Sequence, residues 1–438
     1  MAAVRDKTVA RQRPRAHDGQ STAEVAVFEA TEALLREAPL QDLTVAKIIK
    51  RAGLSRANFY HYFSSKYEVL VALVVRLLAR TYDADGPWQA PPGKARARSM
   101  DESMRGTLDM WSEHGSVVCA AIENMYTVPG MATAWRSSVS QFVDALTEQI
   151  TYERASGAAP DGPPADTVAA MLVCAIERAF YIGNGNLDAR LPTPDSVVDA
   201  IVAVTFAAIY RGTRPYRRVG EESVGGNLDM AVDSDVAESL GSKGEANATA
   251  DSILRGLERL LILPGQSLDS VTVEDILQES GASRATFYFY FGNKDDVFVS
   301  LFGEVAGGLV DRIGQLLEVD RSEPESIRGA VANWLELDPV SEAVVRNAIH
   351  EWPRRSALRE SYLLTVARMT DVLQKVIEVD RAAGVAAEGP EAGPLAAVLT
   401  WTIERTVSGA LAGEEHLTDL PAVVSLLSDL VNATIYGR

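Results

Sequence analysis

Residues 43–66 read LTVAKIIKRAGLSRANFYHYFSSK and residues 271–294 read VTVEDILQESGASRATFYFYFGNK. Aligned without a gap at an offset of 228, the two stretches share 12 of 24 residues, so a unit has been copied within the chain. The correspondence returns far downstream. Ile176-Glu177-Arg178 answers Ile403-Glu404-Arg405, and Ile209-Tyr210 answers Ile435-Tyr436. The copied unit therefore spans some two hundred residues, too long for a solenoid repeat.

Each quoted stretch carries helix signals and no alternating strand pattern. Thr44 and Thr272 stand where a helix should start, and Gly53 and Gly281 where it should end, because a residue without Cβ suits the left-handed turn that follows. Ser55 and Ser283 open a short second helix. Ser65 with Glu68, and Asn293 with Asp296, have the look of caps for a long helix beyond it, to about Asp83 in the first copy and past Val310 in the second. Upstream, Ser21 with Glu24 forms a capping pair ahead of an apolar face that ends near Pro39; its counterpart starts near Ala250. Residues 212–248 lose apolar period and become polar, acidic and Gly-rich, which reads as a linker. The expected class is all-α, two tandem pseudo-two-fold units. The expected divisions are a basic arm (1–20), a first head (21–66) and body (67–211), the linker (212–248), and a second head (249–294) and body (295–438).

Two short helices joined by a glycine turn make a helix-turn-helix, whose second helix fits the major groove of duplex DNA. Phe59 and Phe63 lie four residues apart and should face inward, as should Phe287 and Phe291. Arg56 and Tyr60 share another face. An arginine there can pair with a guanine edge, while Tyr60, Tyr62, Asn58, Thr44 and Lys66 offer hydroxyl, amide and ammonium donors to phosphates. The second copy offers Arg284, Tyr288, Tyr290, Thr286, Thr272 and Lys294.

The strings SRANFYHYFSSK and SRATFYFYFGNK, each preceded by a TVxxI helix and a glycine turn, resemble the DNA-binding signature of TetR-family regulators. The second copy, through SRATFYFYF and the later IERTVSGALAGEE, is similar to the branch of that family typified by mycobacterial repressors of an ethionamide-activating monooxygenase. The resemblance implies a three-helix DNA-binding head, a larger ligand-binding body whose last two helices build a four-helix dimer interface, and small-molecule control, usually of repression. Its DNA contacts fall on Thr44, Arg56, Asn58, Tyr60, His61, Tyr62 and Lys66, and on Thr272, Arg284, Thr286, Tyr288, Phe289, Tyr290 and Lys294. His61 is replaced by Phe289, so the two heads should prefer different bases.

Charge separates the copies as well. Between Gln41 and Lys66 stand five basic residues and one acidic; between Asp269 and Lys294 stand two basic and four acidic. The first head should hold phosphate more strongly. The whole chain of 438 residues has 42 Lys+Arg against 60 Asp+Glu, a net charge of -18, so any affinity for nucleic acid must be local. Arg5, Lys7, Arg11, Arg13 and Arg15 make the N-terminal arm basic. No apolar run suggests a membrane span or a signal peptide, which points to a cytoplasmic protein. The two cysteines, Cys119 and Cys174, support neither a disulfide framework nor a zinc site. No HExxH, phosphate-binding glycine loop or nucleophile elbow is present, and Glu113-His114 near Cys119 lacks supporting ligands. Neither an enzyme nor a cofactor or metal is expected.

The bodies carry large side chains on helical segments: Trp111, Tyr126, Trp135, Phe142 and Phe180 in the first, Trp334, Trp352, Tyr362 and Trp401 in the second. They are candidates to line a cavity for a lipophilic effector, or to form an ordinary core. Helices at Pro164–Ile182 and Ser196–Tyr210 could pack on those at Pro394–Leu411 and Pro421–Tyr436, giving an intrachain pseudo-dimer. A 37-residue linker with a flexible reach of about 35 Å permits it. The competing arrangement is a homodimer of chains with four heads. Effector binding would move the heads away from the roughly 34 Å between successive major grooves and release DNA. The rival function is a ligand sensor or scaffold in which one or both heads have lost DNA binding.

Overall fold

The computed structural model describes residues 22–81, 94–125, 127–211, 244–263 and 265–438. The basic arm, Tyr126 and most of the expected linker lie outside them. Among the described residues the chain is built of helices and contains no strand. The first copy comprises α1 (Thr22–Leu35), α2 (Val45–Ala52), α3 (Arg56–Tyr62), α4 (Lys66–Thr81), α5 (Lys94–Glu123), α6 (Met131–Ala155), α7 (Ala165–Asn184) and α8 (Pro194–Tyr210). The second comprises α9 (Gly244–Ile262), α10 (Val273–Ser280), α11 (Arg284–Tyr290), α12 (Lys294–Gly314), α13 (Pro324–Leu335), α14 (Pro339–Glu351), α15 (Ser356–Ala382), α16 (Ala392–Leu411) and α17 (Leu420–Tyr436). α9 begins at Gly244, ahead of the expected start near Ala250 and inside the stretch read as linker.

The copies match helix for helix except once. The first has an unbroken 30-residue α5 where the second has α13 and α14. The break falls at Leu337-Asp338-Pro339, opposite Leu108-Asp109-Met110. Proline has no amide hydrogen to continue α13, but it suits the first position of a helix, and the Asp338 carboxylate accepts from the amides of Val340 and Ser341 to start α14 afresh.

The described residues form two compact units. The smaller takes those of Met1–Tyr82 and Glu113–Ser138; the larger takes those of Asp83–Ser112 and Val139–Arg438. In the smaller unit α1 packs on α2, α3 and α4. Phe28 of α1 meets Phe63 edge to face at 5.5 Å, over a core that includes Ile48, Phe59 and Val69.

In the larger unit the second head is fastened to its own body. The buried Asn347 side chain of α14 accepts from the Leu268 amide at 2.8 Å, and Arg355 reaches Asp269 and Asp295 at 2.5 and 2.6 Å. The centre of this unit is a four-helix interface of α7 and α8 with α16 and α17. These helices carry long buried apolar faces, Val168 to Ile182 on α7 and Leu395 to Val407 on α16, which the chain covers with one another. The expected pairing of helices from the two copies is thus the one found.

A second echo of the duplication lies outside the heads. Asp380 of α15 accepts from Arg321 Nε and Nη2 at 2.7 and 2.9 Å and from the Tyr436 hydroxyl at 2.8 Å. In the first copy Arg96 lies 2.7 Å from Glu153, with its guanidinium 6.0 Å from the Tyr210 ring. An acid, an arginine and the terminal tyrosine close the end of each body.

Candidate functional site

The head helices begin and end as local chemistry requires. The Thr44 hydroxyl accepts from the Lys47 amide at 3.2 Å, and Gly53 closes α2 at φ 66°. Ser55 accepts from the Asn58 amide at 3.1 Å to start α3, and Ser283 does the same for Thr286 ahead of α11. Only three residues, Gly53-Leu54-Ser55, separate α2 from α3.

Phe59 and Phe287 are fully buried, with Phe63 and Phe291 beside them, so the opposite faces of α3 and α11 point to solvent. On α3 these are Arg56, Asn58, Tyr60 and His61, all exposed, with Tyr60 at 55 %. On α11 Arg284, Tyr288 and Phe289 are exposed, at 52 % for Tyr288 and 78 % for Phe289, while Thr286 is half-buried. Tyr62 and Tyr290 are half-buried, set edge-on against His61 and Phe289 at 4.9 and 5.0 Å.

Lys66 and Lys294 are placed differently from the sequence expectation. The Lys66 ammonium donates to the carbonyls of Leu40, Gln41 and Leu43 at 2.7, 3.2 and 2.7 Å; Lys294 donates to Leu268, Asp269 and Val271 at 2.7, 3.4 and 2.8 Å. An ammonium has three protons, and all three are taken, so these lysines lock the turn ahead of α2 and α10. Burial lowers the Lys66 pKa, consistent with an enclosed rather than a solvated charge.

The heads differ in how their donors are engaged. Among the described residues the Arg56 side chain makes no ion pair or hydrogen bond, whereas Arg284 Nη2 lies 2.5 Å from Glu274 of α10. Position 274 corresponds to Ala46 in the first copy. Among the described residues the Thr44 hydroxyl only accepts, from the Lys47 amide, but Thr272 donates to Asp275 at 2.6 Å while accepting from its amide at 3.2 Å. Glu274 and Asp275 also place two carboxylates on the first turn of α10, the end of a helix that would otherwise attract phosphate; α2 has Ala46 and Lys47 there. Sequence counting gave the sign of this difference. It did not show that Arg284 and Thr272 are held inside the head.

In the second body a cavity of about 80 Å³ lies among α12, α13, α14, α15 and α16. Trp334 and Tyr362 line it with Phe302, Met369, Val407 and the acid Glu404. Trp352 and Trp401, expected as lining, are not among its walls. Trp352 stacks on Tyr362 at 5.1 Å and 5°, Trp401 follows at 6.3 Å, and the indole Nε1 of Trp401 donates to buried Asp188 of the first copy at 3.1 Å. The first copy has a separate hollow of about 230 Å³ at the end of α7, lined by Trp111, Phe180, Asn184 and Thr193 among others, with Trp111 and Phe180 stacked at 6.2 Å. Trp135 is buried and Phe142 half-buried. Neither belongs to these two hollows.

Among the described residues no helix is long and apolar enough to cross a membrane, and no cluster of three metal-ligating side chains occurs. A family model described as bacterial regulatory proteins, tetR family, matches residues 27–73 and again 254–301. One described as the C-terminal domain of the transcriptional regulator EthR matches 100–211 and 324–437, just over half of the chain. The chain is 28 % identical over 193 residues to the HTH-type transcriptional regulator EthR of Mycolicibacterium smegmatis, covering 44 % of this chain and 88 % of that one. It is 27 % identical over 217 residues to the EthR of Mycobacterium tuberculosis strain H37Rv, covering 49 % of this chain and 99 % of that one. One such relative accounts for half of this chain, and both family models match twice. The protein belongs to the TetR family of transcriptional regulators and carries its whole unit in tandem.

Proposed function

We propose that this chain is a sequence-specific repressor that takes the two halves of one operator with two heads of a single polypeptide. The supporting observation is the pair of recognition helices, each anchored by a buried phenylalanine and each turning an unlike set of side chains outward. In the first head Arg56 reads a guanine edge and His61 a neighbouring base, while Thr44, Asn58 and Tyr60 hold phosphates. The second head adds Tyr288, Phe289 and Tyr290, with a weaker hold on the backbone. The interface of α7, α8, α16 and α17 takes the place of a homodimer interface, so one chain supplies both heads.

A lipophilic molecule in the second body is the proposed releasing signal. The cavity as it stands is smaller than a drug-sized pocket of roughly 300 Å³ or more, so an effector must push α12 to α16 apart to enter. A ligand that binds only the expanded body favours it by its full binding energy, and Asn347 and Arg355 tie that body to the second head.

Gel-shift titration of the full chain against fragments of its own genome, at two salt concentrations, tests the reading. Selective retention of a few fragments, at a mass of one chain per operator by light scattering, is expected. A strict homodimer would remove the one-chain arrangement, and uniform binding would remove the repressor. The paired Arg284 and the acidic α10 favour a second reading for the second head alone, that it has given up DNA; footprinting only half an operator would establish it.

A further inference from the structure

The reading face of α11 ends in an apolar ring where that of α3 ends in an imidazole. At about 100° per helical residue, Phe289 stands some 160° from buried Phe287, at the crest of the exposed face, as His61 does from Phe59. Phe289 is 78 % exposed, the most exposed large apolar side chain among the described residues. Its only ring partner there is Tyr290, set edge-on, so the flat faces of the ring are open. Two of the polar readers beside it are engaged within the head: Arg284 with Glu274, and Thr286 Oγ1 with Ser283 Oγ at 2.7 Å. In the first head Arg56 and His61 remain available for hydrogen bonds.

The major groove displays donors and acceptors on every base pair and one apolar group, the C5-methyl of thymine. A phenyl ring pressed onto a guanine, adenine or cytosine edge strips water from polar atoms and returns no hydrogen bond. Pressed onto the methyl it removes two apolar surfaces from water.

We infer that Phe289 makes the second head a reader of thymine methyl groups, so that the chain recognises an asymmetric operator, one half read by hydrogen bonds from Arg56 and His61, the other by apolar contact from Phe289. This rests on the DNA-binding reading above and adds which base chemistry each head takes.

The test is selection from a random duplex library by the full wild-type chain, followed by replacement of single thymines with deoxyuridine, which deletes one methyl and leaves the pairing edge intact. A non-palindromic motif with two unlike halves is expected. In one half, a single dT to dU change should weaken binding roughly fourfold, the loss of about one buried methyl. That loss should vanish in Phe289→His, whose selected motif should move toward a palindrome; being fully surface-placed, the substitution leaves the fold intact. A palindromic motif from the wild type, or uridine effects equal in wild type and Phe289→His, overturns the inference while leaving a DNA-binding regulator. No enrichment of any sequence overturns both.

Discussion

The buried Arg405 guanidinium donates to both carboxylate oxygens of Glu177 at 3.1 and 3.3 Å, across the boundary between the two copies. The same pair of positions is exchanged in reverse, with Arg178 Nε 3.0 Å from Glu404. In a two-fold interface residue i of one half meets j of the other and j meets i, and Glu-Arg against Glu-Arg fulfils that within a single chain. The two exchanges have since diverged. Arg405 is also held by Glu414 at 3.1 Å, while Glu404 accepts from the Tyr362 hydroxyl at 2.5 Å, on the wall of the cavity.

Removing Arg405 leaves buried Glu177 and half-buried Glu414 without their cation, so Arg405→Met is expected to cost about 3 kcal/mol in denaturant unfolding. The triple change Arg405→Met, Glu177→Leu, Glu414→Leu removes the charges together and should lose much less. If the triple variant is as unstable as the single one, packing rather than charge explains the loss.

Lys66 separates structure from DNA contact. Lys66→Met breaks three bonds to the carbonyls of residues 40, 41 and 43, so the first head should melt several degrees lower. The slope of log binding constant against log salt should stay unchanged, because no phosphate contact is lost. Arg56→Ala should do the opposite, leaving the melting temperature alone and lowering affinity roughly tenfold or more. A shallower salt slope for Lys66→Met would restore the phosphate role.

These lysines show where a sequence stops being legible. The caps, the glycine turns and the inward phenylalanines are local: each is settled by residues within one helical turn, and Thr44, Gly53, Ser55 and Phe59 stand as read. The family resemblance likewise located the interface helices. The destination of Lys66, some 25 residues from its partners, depends on how α4 returns beneath the turn ahead of α2, and a positive charge beside a recognition helix looks the same either way. Ile-Glu-Arg was visible as a repeat, but only folding one copy on the other reveals that its glutamates and arginines trade partners. Pro339 after Asp338 is a helix start settled by adjacent residues alone. Large side chains on helical segments read as cavity lining or as ordinary core, and size does not tell a wall from the core behind it.

Acid should loosen the end of the second body. Burial pushes the Asp380 carboxyl upward, but paired hydrogen bonds from Arg321 and another from Tyr436 outweigh it and hold its pKa below the ordinary carboxylate value. A depressed folded pKa contributes stability above the unfolded value of about 3.9, lost as pH falls through the folded one. Asp380→Asn should therefore be less stable than wild type at pH 7, with the gap closing below about pH 4. A gap constant from pH 7 to 3 would mean that the ionised form is not what the cluster holds.

Val407 lines the cavity of the second body at the position that Phe180 occupies in the first. Val407→Phe adds a ring to a space of about 80 Å³ and should fill it, at an overpacking cost of about 1 to 3 kcal/mol. Operator affinity should persist while release by a lipophilic effector disappears. Unchanged release by the variant would move the effector site elsewhere, the Trp111 and Phe180 hollow being the next to test.

Glu274 is the residue most clearly set against DNA binding by the second head. It holds Arg284, raising that guanidinium's pKa by hydrogen bond and charge, and adds a negative charge to the first turn of α10, where the first copy has Ala46. Glu274→Ala should free the arginine and remove one repulsion toward phosphate, raising operator affinity severalfold at low salt, with the gain shrinking as salt screens the surface charge. Arg284→Ala should weaken wild type only slightly, because its donor is already engaged, and should abolish the gain in the Glu274→Ala background. That non-additivity is the decisive reading: if Arg284→Ala and Glu274→Ala act independently, the pair does not regulate the second head, and its weakness comes from the net charge of α10 alone.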